Sequence, residues 1–425
     1  MFAIVFILIL FVLLFLSVPI AFSLGLTTSI GMFVQGTLSL DVVPQRIFVA
    51  LNSFPLMAIP FFILAGNLMG IAGISKRLVD FASSLVGHFT GGLAMVAIVT
   101  SMFFAAISGS GAATTAAIGS ILIPAMVAKG YKIEYAAANQ AVSGALGIII
   151  PPSIAMILYG VAAEVSIGDL FLAGILPGML ITFSLLVSAF IISKRNGYVG
   201  EEKKSFKEVL IAFKRAILAL LMPIIVLGGI YSGVFTPTEA SVVAVMYSLF
   251  IGVFVYREIS LIQLIETLKR SAISSSIIML VIGSAGLFAY YLGMTGTPAM
   301  VFDALNVVID NKYVFLIIVN ILLLLIGMFM DGGAAILILV PLLLGTAVEF
   351  GIDPVHFGVI MVCNLAIGLI TPPVGIDLFV AQQLTNISIL RIGRAAIPLI
   401  LILVVDVLVI SFFPPLSTFI PALLK

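Results

Sequence analysis

The stretch "NLAIGLITPPVG", Asn364 to Gly375, ends an apolar run with two adjacent prolines. "SGALGIIIPPSI", Ser143 to Ile154, has the same shape, and Pro151 and Pro372 lie 221 residues apart. Proline lacks an N–H and clashes with the preceding turn, and the residue before it avoids the helical region. Each stretch therefore predicts a helix end, a short extended link and a new helix, with Pro152 and Pro373 in the first turn of that new helix. The consequence of such a break depends on the solvent around it.

That solvent can be read from composition. Of the 425 residues, 63% are hydrophobic and 9% charged, too little charge for the surface of a soluble domain. Apolar runs of about 20 residues recur from end to end, as a polytopic helical membrane protein requires. Only helices or closed barrels span a bilayer, and a barrel would show short alternating segments. The fold class is thus an all-α polytopic membrane protein. The first run, "MFAIVFILILFVLLFLSVPIAF", lacks a basic start and a small-residue cleavage site, so a retained span is expected. The lone cysteine, Cys363, excludes a disulfide framework within the chain and reads as packing. A net charge of +1 singles out no partner beyond the lipid bilayer, and no nucleic acid is expected.

Lys and Arg collect in cytoplasmic loops. Residues 194–215 carry Lys194, Arg195, Lys203, Lys204, Lys207, Lys214 and Arg215 and read as a cytoplasmic basic loop between two halves, 1–193 and 216–425. Arg257, Lys269 and Arg270 place a surface helix at about 258–270 on the same side, its Leu/Ile spacing suiting the membrane interface. The turn "FTPTEA" is then outside. By alternation Lys76, Arg77, Lys129 and Lys132 fall inside, as do Arg391 and Arg394. Glu164, Asp169, Asp303, Asp310, Glu349 and Asp353 fall outside, and Arg46 and Lys312 run against the rule. Residues of about 88–128 have both ends inside yet exceed one span, which predicts a re-entrant hairpin. Residues of about 313–350 predict a second hairpin from the opposite face.

Shifted by 221 residues, "GALGIIIPPS" falls on "LAIGLITPPV" with five of ten positions identical. The hairpin tips also correspond: "ISGSGAATTAAIGSILIP" runs to Pro124 and "FMDGGAAILILVP" to Pro341. The flanking charges change sign across the shift, as Lys132 meets Asp353. Like sequence with opposite sidedness predicts two inverted repeats, each with a hairpin and a broken helix, at about 133–162 and 354–383. Interrupted helices in both halves point to the binding site of a secondary transporter.

Each break leaves carbonyl oxygens without partners near the midplane. Bare Na+ can meet them, with further oxygens from the tips "SGSG" and "MDGG", whose glycines permit tight turns. Two Na+ sites are expected. The first uses Ser108, Ser110, Gly147, Ile150 and Ser153, and the second uses Gly327, Asp331, Gly368, Thr371 and Val374. Two other readings stay open: a proton-coupled carrier with the same breaks, and polar groups that only cap broken helices. No Lys or Arg lies deep in a span, so the half-helix N-termini and bound cations are the expected attraction for an anionic, carboxylate substrate. Ser108, Ser110, Gly111, Pro151, Asp331, Gly332, Pro372 and Asp377 are the expected substrate-binding residues.

Among the other acids, Asp331 is an intramembrane carboxylate and so a functional candidate, with helix capping as its plainer role. Glu239 reads as part of a capping box with Thr236, and Asp353 reads as a cap. Asp377 faces either the substrate cavity or inner water, and Asp406 is read as pairing with a neighbouring subunit. His88 and His356 form no metal-ligand pattern. There is no G-x-S-x-G elbow for an intramembrane hydrolase, and an Asp331–Asp377 protease dyad competes with a transporter role for each residue.

Taken together, "MAIPFFILAGNLM", "ISGSGAATTAAIGS", "GIIIPPS", "GVFTPTEA", "FMDGGAA", "GIDPVHFGVIMV" and "NLAIGLITPPVGIDLFVA" resemble the large membrane subunit of tripartite ATP-independent periplasmic (TRAP) transporters. The resemblance covers nearly the whole chain. It implies an ion-transporter-superfamily fold of elevator type in the bacterial inner membrane. It also implies two partners, a separate small four-helix membrane subunit and a periplasmic substrate-binding protein. The family imports acids such as sialic acid (N-acetylneuraminate), favoured here on overall similarity, and C4-dicarboxylates, driven by sodium. A stand-alone sodium/dicarboxylate symporter of the same superfamily is the neighbouring reading. Many members carry an amide or an apolar residue where Asp377 stands, a departure that bears on substrate identity.

Overall fold

The computed structural model describes residues 2–16, 18–36, 39–306, 309 and 311–424; Asp310, expected on the outer face, is not among them. The described residues are helical and carry no strand. The first half contains α1 (Phe2–Phe15), α2 (Ile20–Gln35), α3 (Val42–Leu51), α4 (Ala58–Ile71) and α5 (Ile74–Val86). It continues through α6 (Gly92–Ser108), α7 (Gly111–Ala128), α8 (Ile133–Gly144), α9 (Leu146–Ile149), α10 (Ile154–Ala162) and α11 (Ile167–Asn196). The second half contains α12 (Phe206–Tyr231), α13 (Pro237–Leu249), α14 (Leu261–Met294), α15 (Thr297–Asn306) and α16 (Lys312–Gly327). It closes with α17 (Gly332–Glu349), α18 (Pro354–Gly368), α19 (Ile376–Thr385), α20 (Ile389–Phe412) and α21 (Pro415–Leu424).

Six of these helices are long and apolar enough to cross a membrane by themselves, α4 and α13 become so with the helical turns that flank them (Phe54–Met57 and Phe250–Val255), and α8 to α10 pass together as one span bent by 41°. The chain is a multi-pass membrane protein. Its outer faces are apolar as a lipid solvent demands: Phe183, Phe190, Ile224, Met246, Phe254 and Ile273 are all exposed.

Two groups of helices pack side by side. In one, α14 lies along α2, α3 and α4, α13 lies on α4, and α12 lies on α5. In the other, the pairs α6–α7 and α16–α17 surround the broken helices. The second arm of each pair crosses to the opposite half: α7 packs on α19, and α17 packs on α10. The stretch expected as a separate surface helix at about 258–270 is instead the first part of the 34-residue α14. No proline or glycine lies between Leu261 and Ile282, so nothing breaks the helix there. Likewise only residues 197–205 of the expected basic loop are non-helical, because Ser205 and Glu208 form a capping box that starts α12 early.

Polar contacts join segments far apart in sequence. Arg77 pairs with Glu258 at 2.7 Å, Lys129 with Glu201 at 3.7 Å, and Arg391 with Glu134. Each pair brings together segments that charge counting assigns to the inner face. Toward the other end, the Tyr159 hydroxyl donates to the Pro354 carbonyl at 2.6 Å. The Thr238 hydroxyl donates to the carbonyl of Phe54 at 3.2 Å. Glu239 and Thr236 form the expected capping box. Asp353 caps α18 by accepting from the N–H groups of Val355 and His356. Asp406, read from the sequence as pairing with a neighbouring subunit, accepts from the Ser184 hydroxyl within the chain at 2.8 Å through Oδ1, and its Oδ2 has no partner among the described residues.

Candidate functional site

The two breaks are built alike. Pro151 and Pro152 deprive the carbonyls of Gly147 and Ile148 of their helical donors, and Pro372 and Pro373 do the same to Gly368 and Leu369. Substitutes serve three of the four. The Ser153 hydroxyl donates to the Ile148 carbonyl, the Asp377 N–H donates to Leu369 at 3.0 Å, and the Thr371 N–H donates to Gly368 at 2.9 Å. The Pro151–Pro152 and Pro372–Pro373 bonds are both cis.

A hairpin tip sits against each break. Gly109 ends α6 with φ 61°, a left-handed turn that favours glycine. Its carbonyl accepts from the Ile154 N–H at 3.4 Å. In the other half the carbonyl of Met328 accepts from the Gly375 N–H, also at 3.4 Å. Ile154 and Gly375 are related by the 221-residue shift. So are Gly147 and Gly368, and both let backbone approach backbone. A methyl on Gly147 would lie 2.6 Å from the carbonyl carbon of Ser110, and one on Gly368 would lie 2.5 Å from that of Gly327.

At the first tip Ser110 caps α7, its hydroxyl accepting from the Ala113 N–H. Its carbonyl accepts from the hydroxyls of Ser108 at 3.3 Å and Thr114 at 2.8 Å. The Ser108 hydroxyl has one proton, which serves either that carbonyl or the Thr114 oxygen 2.9 Å away. Ser153 caps α10 by accepting from the Met156 N–H. At the second tip Asp331, which is exposed, caps α17 by accepting from Gly333 at 2.9 Å. The Thr371 hydroxyl donates to the Ile367 carbonyl at 2.7 Å, which leaves its lone pairs free. These neutral oxygens and one carboxylate form a hard donor set of the kind unwound transporter helices offer to Na+.

The tips and breaks meet at one cavity of about 400 Å³. Gly109, Ser110 and Gly111 line it from the first tip, Asp331 and Gly332 from the second, and Ile148, Ile154, Leu369 and Asp377 from the breaks. Among the described residues Pro151 and Pro372 lie outside this lining, although the sequence groups them with the substrate-binding set. Ser108 stands behind it, bonded to Thr114. A larger groove of about 590 Å³, between Phe54, Glu164 and Thr236, touches neither break.

Sequence reasoning misses two contributions. Thr114 completes the hydroxyl cluster behind Ser110, and the adjacent threonines in "GAATTAA" are the signal. Ser274 and Ile278 of α14 form the far wall of the cavity; they sit in an ordinary apolar span, and no sequence signal marks them.

The family model described as "Tripartite ATP-independent periplasmic transporter, DctM component" matches residues 7–416. The C4-dicarboxylate TRAP transporter large permease protein DctM of Pseudomonas aeruginosa is 42% identical over 94% of this chain and 93% of its own. The sialic acid TRAP transporter large permease protein SiaM of Vibrio cholerae is 38% identical over 97% and 96%. The isethionate TRAP transporter permease protein DctMQ of Oleidesulfovibrio alaskensis is 44% identical over 95% of this chain, which spans 64% of that longer protein. Among solved structures, the YdaH transporter of Alcanivorax borkumensis shares the fold. Its TM-score is 0.64 at 16% identity, covering 89% of this chain and 91% of that one. The chain therefore belongs to the DctM component family, as the large permease subunit of a TRAP transporter, a secondary transporter and not an enzyme.

Proposed function

We propose that this subunit forms the path through which a sodium gradient drives import of an organic carboxylate. One observation carries the reading: both hairpin tips and both helix breaks border a single cavity. In that arrangement Na+ bound at Ser108, Ser110, Gly147, Ile150 and Ser153, and again at Gly327, Asp331, Gly368, Thr371 and Val374, fixes each tip against its break. The cavity is thereby formed when sodium is bound, which couples the two loads. The N-termini of α7, α10, α17 and α19 stand around it and supply partial positive charge and spare N–H groups to an anion. The relatives' named solutes, C4-dicarboxylates, sialic acid and isethionate, are all organic anions. A carboxylate is the class we assign, with sialic acid and C4-dicarboxylates as its named examples.

In this reading a periplasmic binding protein delivers the solute, and a small four-helix subunit flanks the chain in the bacterial inner membrane. The transport group moves past the α14 side as an elevator. The test is uptake by proteoliposomes holding the permease and small subunit, with binding protein outside. An inward sodium gradient is expected to drive accumulation that choline cannot. Equal uptake in choline, or uptake driven by a proton gradient alone, would overturn the reading. Sodium-driven uptake without any binding protein would instead point to a stand-alone symporter.

A further inference from the structure

Asp377 is fully buried, and neither of its carboxylate oxygens has a hydrogen-bond partner. It lines the cavity together with Asp331 and lies against the first hairpin tip, where a methyl on Gly111 would come 2.6 Å from its Oδ2. A buried carboxylate without donors is costly, so its place needs a reason.

Packing does not supply one. The matching crossing in the other half, α17 on α10, sets Leu158 against Gly333: a methyl there would lie 2.7 Å from Leu158 Cδ1. An apolar side chain fills that crossing without polar cost. By the 221-residue shift the counterpart of Asp377 is Met156, an apolar residue that packs on Gly174 of α11, so the carboxylate against a hairpin tip is peculiar to the second half. Around the cavity the other polar side chains are Ser110, Ser274 and Asp331, with no Lys, Arg or His among the described lining residues. With Asp331 assigned to a sodium ion, Asp377 is the lining carboxylate left without a counter-charge, which disfavours a solute that is only anionic.

We propose that Asp377 selects solutes that carry a protonated amine beside their acid group, by pairing with the ammonium. This rests on the transport reading but replaces its sialic acid and C4-dicarboxylate examples with amino acids and other zwitterionic carboxylates. The helix N-termini at Ser110 and Asp331 remain for the anionic end, and the ammonium supplies the charge-assisted donors that Asp377 lacks.

L-aspartate, L-malate and succinate share one skeleton and differ in an amine, a hydroxyl or a hydrogen at one carbon. The measurement is the rise of the thermal unfolding midpoint of the purified full-length chain in sodium chloride, titrated with each solute. Aspartate is expected to reach half-effect at a concentration at least about tenfold below that of succinate, with malate between them. In Asp377→Asn the advantage of aspartate is expected to vanish. Should that variant fold poorly, Gly111→Ala, which displaces the carboxylate, is expected to shrink the same gap. Succinate matching or beating aspartate, no response to aspartate, or a gap that survives in both variants would overturn the proposal. The parent reading fails differently: its sign is a solute response that is the same in choline chloride as in sodium chloride.

Discussion

The N–H of Gly375 donates to the carbonyl of Met328 at 3.4 Å, tying the second hairpin tip to the second break. At the repeat-related position Ile154 makes the same bond to Gly109. Each tip is thus held by its own half's break, while the arm behind it crosses to the other half. A ligand that fixes a tip would be felt at both breaks, which is what the proposed coupling of two cation sites to one solute cavity requires.

Close backbone approach at Gly147 and Gly368 gives the first prediction. Gly147→Ala and Gly368→Ala each force a methyl into the facing tip and are expected to destabilise by about 1–3 kcal/mol. Gly228→Ala in α12 meets nothing within 4 Å and is expected to be neutral or stabilising by up to about 1 kcal/mol. Thermal unfolding in one detergent ranks the three. Equal midpoints for all would contradict the packing described.

The hydroxyl of Thr371 gives the second. Thr371→Val keeps the shape, removes the oxygen, and is expected to raise the sodium concentration for half-maximal uptake several-fold. Thr371→Ser is expected to restore it. The sodium titration of uptake reads both, and a valine variant with wild-type sodium dependence would remove Thr371 from the cation site.

Thr236 and Glu239 give a contrasting third. Their reciprocal bonds of 2.8 and 3.2 Å start α13, far from the breaks. Thr236→Ala is expected to lower stability by about 0.5–2 kcal/mol while the sodium concentration for half-maximal uptake stays unchanged. A shifted sodium dependence would mean that this turn does more than cap a helix.

The breaks, hairpin arms and caps were legible because each is a local matter. Pro-Pro removes donors at fixed positions, Gly109 turns the chain, and Ser110, Thr236 and Asp353 each cap the next helix. The continuity of α14 was harder to read, since the polar–apolar spacing of residues 258–270 suits an interface helix and a solvent-facing helix end equally. The partner of Asp406 lies 222 residues away at Ser184, and the wall formed by Ser274 and Ile278 comes from a different helix group. Contacts of that range depend on how helices pack, and no local pattern records them. Asp377 stood out as an acid near a break, yet its burial against Gly111 arises only because α7 crosses to α19.

The central claim is that sodium holds each hairpin tip against its helix break. The most direct test is a pair of high-resolution cryo-EM maps of the complete transporter, one in sodium chloride and one in choline chloride. The sodium map is expected to show two added densities within coordinating distance of oxygens. One lies among Ser108, Ser110, Gly147, Ile150 and Ser153, and the other among Gly327, Asp331, Gly368, Thr371 and Val374. Both vanish in choline. Identical maps, with neither density at either break, would contradict the account.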